Sequence, residues 1–373
     1  MNNIKVYLQY PWKFPDSPYY KYLIDNPPKG IEYLNVSKQK GVITNKRIFL
    51  FSNLLKNIIR KTLNIFSISI PSAFLSKSKE NYDLIHCAHC LSKNKDKNWV
   101  ADIESEWQFY LGKRNNSSIK GVKEILSRNN CKKIMPWTQY TANQIIETFP
   151  FMRDKVEVVH PALPVQESKK EKGKKITLLY ATRYFWLKGG VIALEVCKRL
   201  NEKYREKIEI IFISDVPTDI KHRYRTLKIK DIVPLKELFG YYKKADLFFY
   251  PSFIDTFGFG ILEAMSFGLP IISVNTNKTL TRKEILDNGK QGFISEIKDQ
   301  LTDKILEKKE KLVFGKEENE LIENLFENCC KLIDDKKLRE KMSRNCTNEV
   351  KNGKFSIKER NKKLKRIYEE AIK

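Results

Sequence analysis

Short, nearly uninterrupted apolar runs recur along the chain, each bounded by charged or turn-forming residues. In the first half IKVYLQ at 4–9 and the runs at 82–87, 99–104 and 132–136 read as strands, and a strand and turn are expected at 156–164. In the second half ITLLYA at 176–181, residues 208–214, LFFY at 247–250 and PIISV from Pro270 continue the series. Stretches at 139–149 and 191–204 read as helices between them, so the expected class is α/β. At the end of the chain, Phe355-Ser356-Ile357-Lys358-Glu359 is a capping box with an apolar residue ahead of the cap. That predicts a helix from Ile357, with Leu364, Ile367, Tyr368, Ala371 and Ile372 as its apolar face.

VQESKKEKGKK, at 165–175, is short and charged with no apolar period, and reads as a linker. It separates a first domain at 1–164 from a second at 176–354, with 355–373 as a final helical segment; a length of 373 residues fits two domains. Residues 299–324 are dense in Lys and Glu and predict a charged helical insertion on the surface. No internal repeat is present.

Composition adds a charge. Seventy Lys+Arg against 45 Asp+Glu give a formal +25, which calls for anionic surroundings: nucleic acid, lipid headgroups or phosphorylated small molecules. The basic residues are scattered, often in pairs such as Lys132-Lys133 and Lys336-Lys337, which favours a solvated surface over a nucleic-acid groove. The seven cysteines are an odd number, and Met1 leads through a polar pair straight into a strand-like run rather than a secretory signal. A reducing, cytoplasmic setting is expected. No apolar run is long enough to span a bilayer. Residues 48–75 come nearest: Leu54, Leu55, Ile58, Ile59, Leu63 and Phe66 recur at helical spacing with Lys56, Arg60 and Lys61 between them. Such a helix packs on its own domain's sheet or lies on an anionic membrane surface, at the inner face for a cytoplasmic protein.

The chemistry concentrates in PSFIDTFGFGILEAMSFGLP, 251–270. Gly258 and Gly260 leave the loop backbone uncrowded, and a helix starting near Phe259 turns its unpaired N–H groups back at that loop, which suits a phosphate. Asp255 and, eight positions on, Glu263 flank this anion site with carboxylates suited to sugar hydroxyls. The stretch resembles the signature of glycosyltransferase family 4, with Asp255 where that family usually has Glu. Thr182-Arg183 through Lys188-Gly189-Gly190, after the strand at 176–181, is similar to the family's Gly-Arg to Lys-Gly element, with Thr182 in place of Gly.

The resemblance implies a GT-B fold: two Rossmann-like domains, an active cleft between them, and a C-terminal helix crossing back to the first. It implies a retaining transfer from a nucleotide-diphosphate sugar, a UDP- or GDP-sugar, to a glycan or lipid-linked acceptor, with no metal or other cofactor. Arg183 and Lys188, as fork and point charge, and the helix start around Phe257, Gly258, Phe259, Gly260 and Ile261 would then hold the diphosphate. Glu263 would accept from the ribose and Asp255 from the transferred sugar.

The first half matches less well. The loop after 4–9 is rich in Pro and aromatics and lacks G-x-G-x-x-G, which disfavours a dehydrogenase. Ser17 is a candidate cap for a helix near Pro18, whose Tyr19, Tyr20 and Tyr22 either join the core or stack on sugar faces. HCAHC at 86–90 has metal-like spacing but no second Cys/His cluster to complete a set, so His86 and His89 are read instead as acceptor-side residues at the mouth of the cleft. Glu104, at a strand end where relatives carry His, is a third acceptor-side candidate. Two rivals stay open. A sugar-nucleotide epimerase of the same fold would use the same diphosphate site. A basic, non-enzymatic protein binding nucleic acid or membrane would explain the charge but not the paired carboxylates, and nucleic acid is not the expected partner.

Overall fold

The computed structural model describes residues 3–10, 19–36, 54, 58, 68–76, 78, 80–166, 175–279, 281–307 and 314–373. The chain separates into two compact units, residues 1–162 with 354–373, and residues 163–353. The expected linker lies mostly outside the described residues, as do Ser17 and most of 48–75; Leu54 and Ile58 of that stretch are exposed.

The first unit contains β1 (Ile4–Gln9), α1 (Tyr19–Asp25), β2 (Ile31–Leu34), β3 (Leu84–Ala88), β4 (Trp99–Ile103), α2 (Asn116–Leu126), β5 (Cys131–Pro136) and α3 (Gln139–Thr148). These five strands form one sheet in the order β2-β1-β3-β4-β5, each of its pairings parallel. Parallel strands are covered on both faces, and every residue of β3 and β4 is buried. Ile85, Cys87, Trp99 and Ile103 share a core with Val122, Ile125 and Leu126 of α2 and Ile145 of α3. Tyr19, Tyr20 and Tyr22 are buried too, so these aromatics belong to the core.

The helix predicted at the C-terminus runs from Ile357 to Ala371, and the Ser356 side chain accepts from the Glu359 N–H as its cap. It belongs to the first unit. The Tyr368 hydroxyl lies 2.7 Å from His86 Nδ1 and 3.1 Å from the Tyr33 hydroxyl. Arg360, buried, donates to the Asn26 carbonyl at 2.6 Å, and Arg366 pairs with Glu157. The strand expected at 156–164 does not form. Val156 makes a parallel bridge to Ile134, the Glu157 and Val159 N–H groups donate to the Ile134 and Pro136 carbonyls, and the partner strand ends there at Pro136.

The second unit contains β6 (Ile176–Ala181), α4 (Gly190–Tyr204), β7 (Ile208–Ile213), β8 (Ile229–Lys230), α5 (Leu235–Lys244), β9 (Leu247–Tyr250), α6 (Phe259–Ser266), β10 (Ile271–Asn275), α7 (Arg282–Ile285), β11 (Gly292–Glu296) and α8 (Lys316–Asp334). Its sheet, parallel throughout, runs β8-β7-β6-β9-β10-β11. In order of appearance that is 3-2-1-4-5-6, a doubly wound sheet whose strand order reverses between β6 and β9. The surface insertion expected at 299–324 is instead part of the core. Within it Leu301, Leu321 and Ile322 are buried with Ile192, Val196 and Leu200 of α4, and Leu325 just beyond joins them. Gly292 opens β11, and the turn before it uses Gly289, at φ 80°. Among the described residues no helix is long and apolar enough to cross a membrane.

Candidate active site

In a doubly wound sheet, ligands bind beyond the carboxyl ends of the strands at the point where the order reverses. In the second unit those ends are Ala181 of β6 and Tyr250 of β9. The loop after β6 carries Arg183 and Lys188, and the loop after β9 carries Asp255 and leads into α6. Two sequence elements more than sixty residues apart are thus brought to one edge.

The loops are fastened to each other. Gly189, at φ 69°, caps α4, and its backbone approaches so closely that a Cβ built there would lie 2.0 Å from the Pro251 carbonyl oxygen. The Phe253 N–H donates to the Leu187 carbonyl at 3.3 Å. Lys188 Nζ donates to the Ile254 carbonyl at 2.8 Å and lies 3.3 Å from Asp255 Oδ1. The Phe185 N–H donates to Asp215 Oδ1 at 3.0 Å, holding the first loop to the end of β7.

Asp255 is the centre of this cluster. Besides Lys188, its Oδ2 accepts from the Tyr250 hydroxyl at 2.9 Å and from Arg282 Nη2 at 3.4 Å. Burial works to raise its pKa, but Lys188 and Arg282 outweigh burial and hold the carboxyl below the usual range. Glu263 is the opposite case. On α6 and nearly buried, it is pushed up to about 7 by desolvation, which nearby Arg183 and a hydrogen bond from Tyr242 only partly offset. Its protonation is therefore poised near neutrality.

Gly258 is the N-cap of α6 at φ 100°, a conformation side chains rarely adopt. The Ile261 and Leu262 N–H groups bond back to the Gly258 carbonyl, and the earlier N–H groups of the turn point out along the helix axis. Phe257 and Ile261 are corrected by this geometry. Both side chains are buried in the core and the Ile261 N–H is already used, so Ile261 offers a ligand nothing and Phe257 only its backbone. Arg282 was not singled out from the sequence, where Thr281-Arg282-Lys283-Glu284 looks like an ordinary charged helix start.

The first-unit candidates separate. His86 is fully buried, and besides Tyr368 its Nε2 lies 3.4 Å from Asp102 Oδ2. It ties the final helix to the sheet and is not the acceptor-side residue expected. A central parallel strand buries both faces, so no side chain of β3 reaches solvent. Burial tends to raise the Asp102 pKa, but His86, His89 and a 2.7 Å hydrogen bond from Tyr20 hold that carboxyl below its ordinary value. His89 lies just past β3, half-buried at φ 54°, with its ring 5.3 Å from Tyr20 and 4.8 Å from Trp137. Burial lowers its pKa. Glu104 follows β4; its N–H donates to Gln108 Oε1 at 2.9 Å and its carbonyl accepts from Thr141.

A family model described as glycosyl transferases group 1 matches residues 164–328. An uncharacterized glycosyltransferase of Haemophilus influenzae is 24% identical over 196 residues, covering 51% of this chain and 55% of that protein. The UDP-Gal:alpha-D-GlcNAc-diphosphoundecaprenol alpha-1,3-galactosyltransferase of Escherichia coli is 28% identical over 170 residues, 44% of this chain and 36% of that protein. The chain spans about half the length of the curated relatives it matches. The crystal structure of a glycosyltransferase from Rickettsia africae ESF-5 shares the fold, with TM-score 0.61 at 13% identity over 100% of this chain and 99% of that one. Arg183, Lys188, Asp255 and Glu263 are gathered at the strand-order reversal of a doubly wound sheet inside the matched segment, so the second unit of this GT-B chain carries its site where it is similar to the glycosyl transferases group 1 family.

Proposed function

We propose that the protein is a retaining glycosyltransferase that moves a sugar from a nucleoside-diphosphate sugar to a glycan or lipid-linked acceptor. The observation that carries this reading is the meeting of the Lys188 loop and the Asp255 loop at the N-terminus of α6. A departing diphosphate needs fixed positive charge and aligned donors at the moment the sugar carbon becomes oxocarbenium-like. Arg183, Lys188 and the α6 N-terminus supply both, with no metal ion or other cofactor assigned. Glu263 accepts from the ribose hydroxyls and Asp255 from hydroxyls of the sugar. UDP is the nucleotide favoured, since the E. coli relative is named for UDP-Gal.

A thermal-shift panel of UDP, GDP, ADP, their sugars and NAD tests the donor. A ligand present at a hundredfold its Kd stabilises by about 2.7 kcal/mol, enough to raise Tm visibly. Stabilisation by one nucleoside diphosphate and its sugar is the expected result. Stabilisation by NAD alone, or by none of them, would sink the proposal. Retention of anomeric configuration is checked by NMR of the first product formed.

The acceptor is proposed to be membrane-borne, with the protein at the cytoplasmic face. The support is the +25 charge, the exposed Leu54, Ile58, Ile68 and Ile70, and the undecaprenol-linked substrate named for the E. coli relative. The protein should sediment with vesicles containing phosphatidylglycerol and be released by salt. Sedimentation with anionic vesicles no greater than in a vesicle-free control would argue against a membrane-borne acceptor.

A further inference from the structure

Arg282 opens the short helix α7 and is 1% exposed, a rare place for an arginine. Its guanidinium carbon lies 5.3 Å from the centre of the Tyr250 ring, and its Nη2 bonds Asp255. Its Nε and Nη1 are buried and have no hydrogen-bond acceptor among the described residues. Nη1 faces the Gly258 turn, where a Cβ built on the glycine would come within 2.8 Å of it. Buried donors without acceptors are costly, and where they persist they call for a functional account.

The charges of the cluster supply one. Lys188 and Asp255 alone would cancel, and a lysine held by a buried carboxylate is not available to an anion. If Lys188 turned away with no other cation present, Asp255 would be left buried and unpaired, which strongly favours pulling the lysine back. Arg282 removes that conflict. It is fixed beneath Tyr250, bonds the oxygen that also accepts from the Tyr250 hydroxyl, and leaves the other, Oδ1, to Lys188. The loop then holds two cations against one carboxylate, and the surplus lies beside the α6 N-terminus, which attracts anions on its own account.

We propose that Arg282 is a positioning residue of the donor site: it serves as the standing counter-ion of Asp255 and so frees Lys188 for the donor's diphosphate. This rests on the donor reading above. The test is the ratio of UDP to uridine affinity, measured by calorimetry for the wild type, Arg282→Gln, Arg282→Lys and Asp255→Asn. Arg282→Gln should weaken UDP at least tenfold while uridine changes less than threefold, and Arg282→Lys should restore UDP to within threefold of wild type. A merely structural loss would weaken both ligands together. An unchanged ratio in Arg282→Gln overturns the proposal. If that variant does not fold, Asp255→Asn decides: removing the neutralising carboxylate should raise the ratio, and an unchanged or lower ratio overturns the proposal. Wild-type protein that binds neither UDP nor uridine, nor the guanine pair, overturns the donor reading itself and this assignment with it.

Discussion

Replacing Gly189 with alanine should destabilise the second unit by about 3 kcal/mol or more and abolish nucleotide-dependent stabilisation. Two costs add. The residue sits at φ 69°, a left-handed conformation that costs a side-chain-bearing residue about 1–2 kcal/mol. The new Cβ would also lie 2.0 Å from the Pro251 carbonyl oxygen and 3.1 Å from the Phe253 ring, so one loop must move off the other. Pro251 is the first residue beyond β9, and its loop holds Asp255 against Lys188; displacing it parts the groups assigned to the diphosphate. In a domain of this size each kcal/mol lowers Tm by roughly 2–4 °C. Gly289→Ala is the internal comparison: φ is 80°, yet nothing lies within 4 Å of its added Cβ, so it should show the conformational cost alone. Equal melting temperatures for the two variants would mean that the close approach at Gly189 does not constrain the site.

How much of this could be read in advance depended on whether the local pattern and the tertiary context agreed. ITLLYA and LFFY are almost wholly apolar because both faces of a parallel strand are covered, and they are strands. The motif at 251–270 carries its own loop, cap and helix in contiguous residues, so the position of Gly258 ahead of α6 was legible. Local pattern failed where spacing competed with burial. HCAHC looked like exposed chemistry, but its first three residues close a central strand, and that membership decides where His86 lies. In 316–334 the density of Lys and Glu masked an apolar stripe through Leu321, Ile322, Leu325 and Cys329 that a helical count would have found. Arg282 had no such signal. It becomes a partner of Asp255 only because β10 runs beside β9 and returns the chain to the same edge, a long-range fact absent from its neighbours in sequence.

Glu263 should give the protein two opposed pH dependences. Its carboxyl titrates at about 7 in the folded protein against 4.5 in an unfolded chain, because burial disfavours the charged form. The folded state therefore holds this proton more tightly, and the group's contribution to stability falls as pH rises from about 4.5 to 7, then levels off. The full swing is on the order of 3 kcal/mol, and Glu263→Gln should remove it, which urea titrations at several pH values will register. Ligand binding should run the other way. A carboxylate accepts from ribose hydroxyls better than a neutral acid does, so affinity for uridine, which has no titrating group in this range, should rise as pH passes 7. Hydrogen bonds to a charged group contribute about 1.5–3 kcal/mol, so Glu263→Ala should weaken uridine roughly 10- to 150-fold above that pH. Glu263→Gln should bind weakly with a flat profile. A wild-type profile that is already flat, with the Ala variant binding as well as the parent, would remove Glu263 from the ribose and leave its raised pKa as a cost of burial alone.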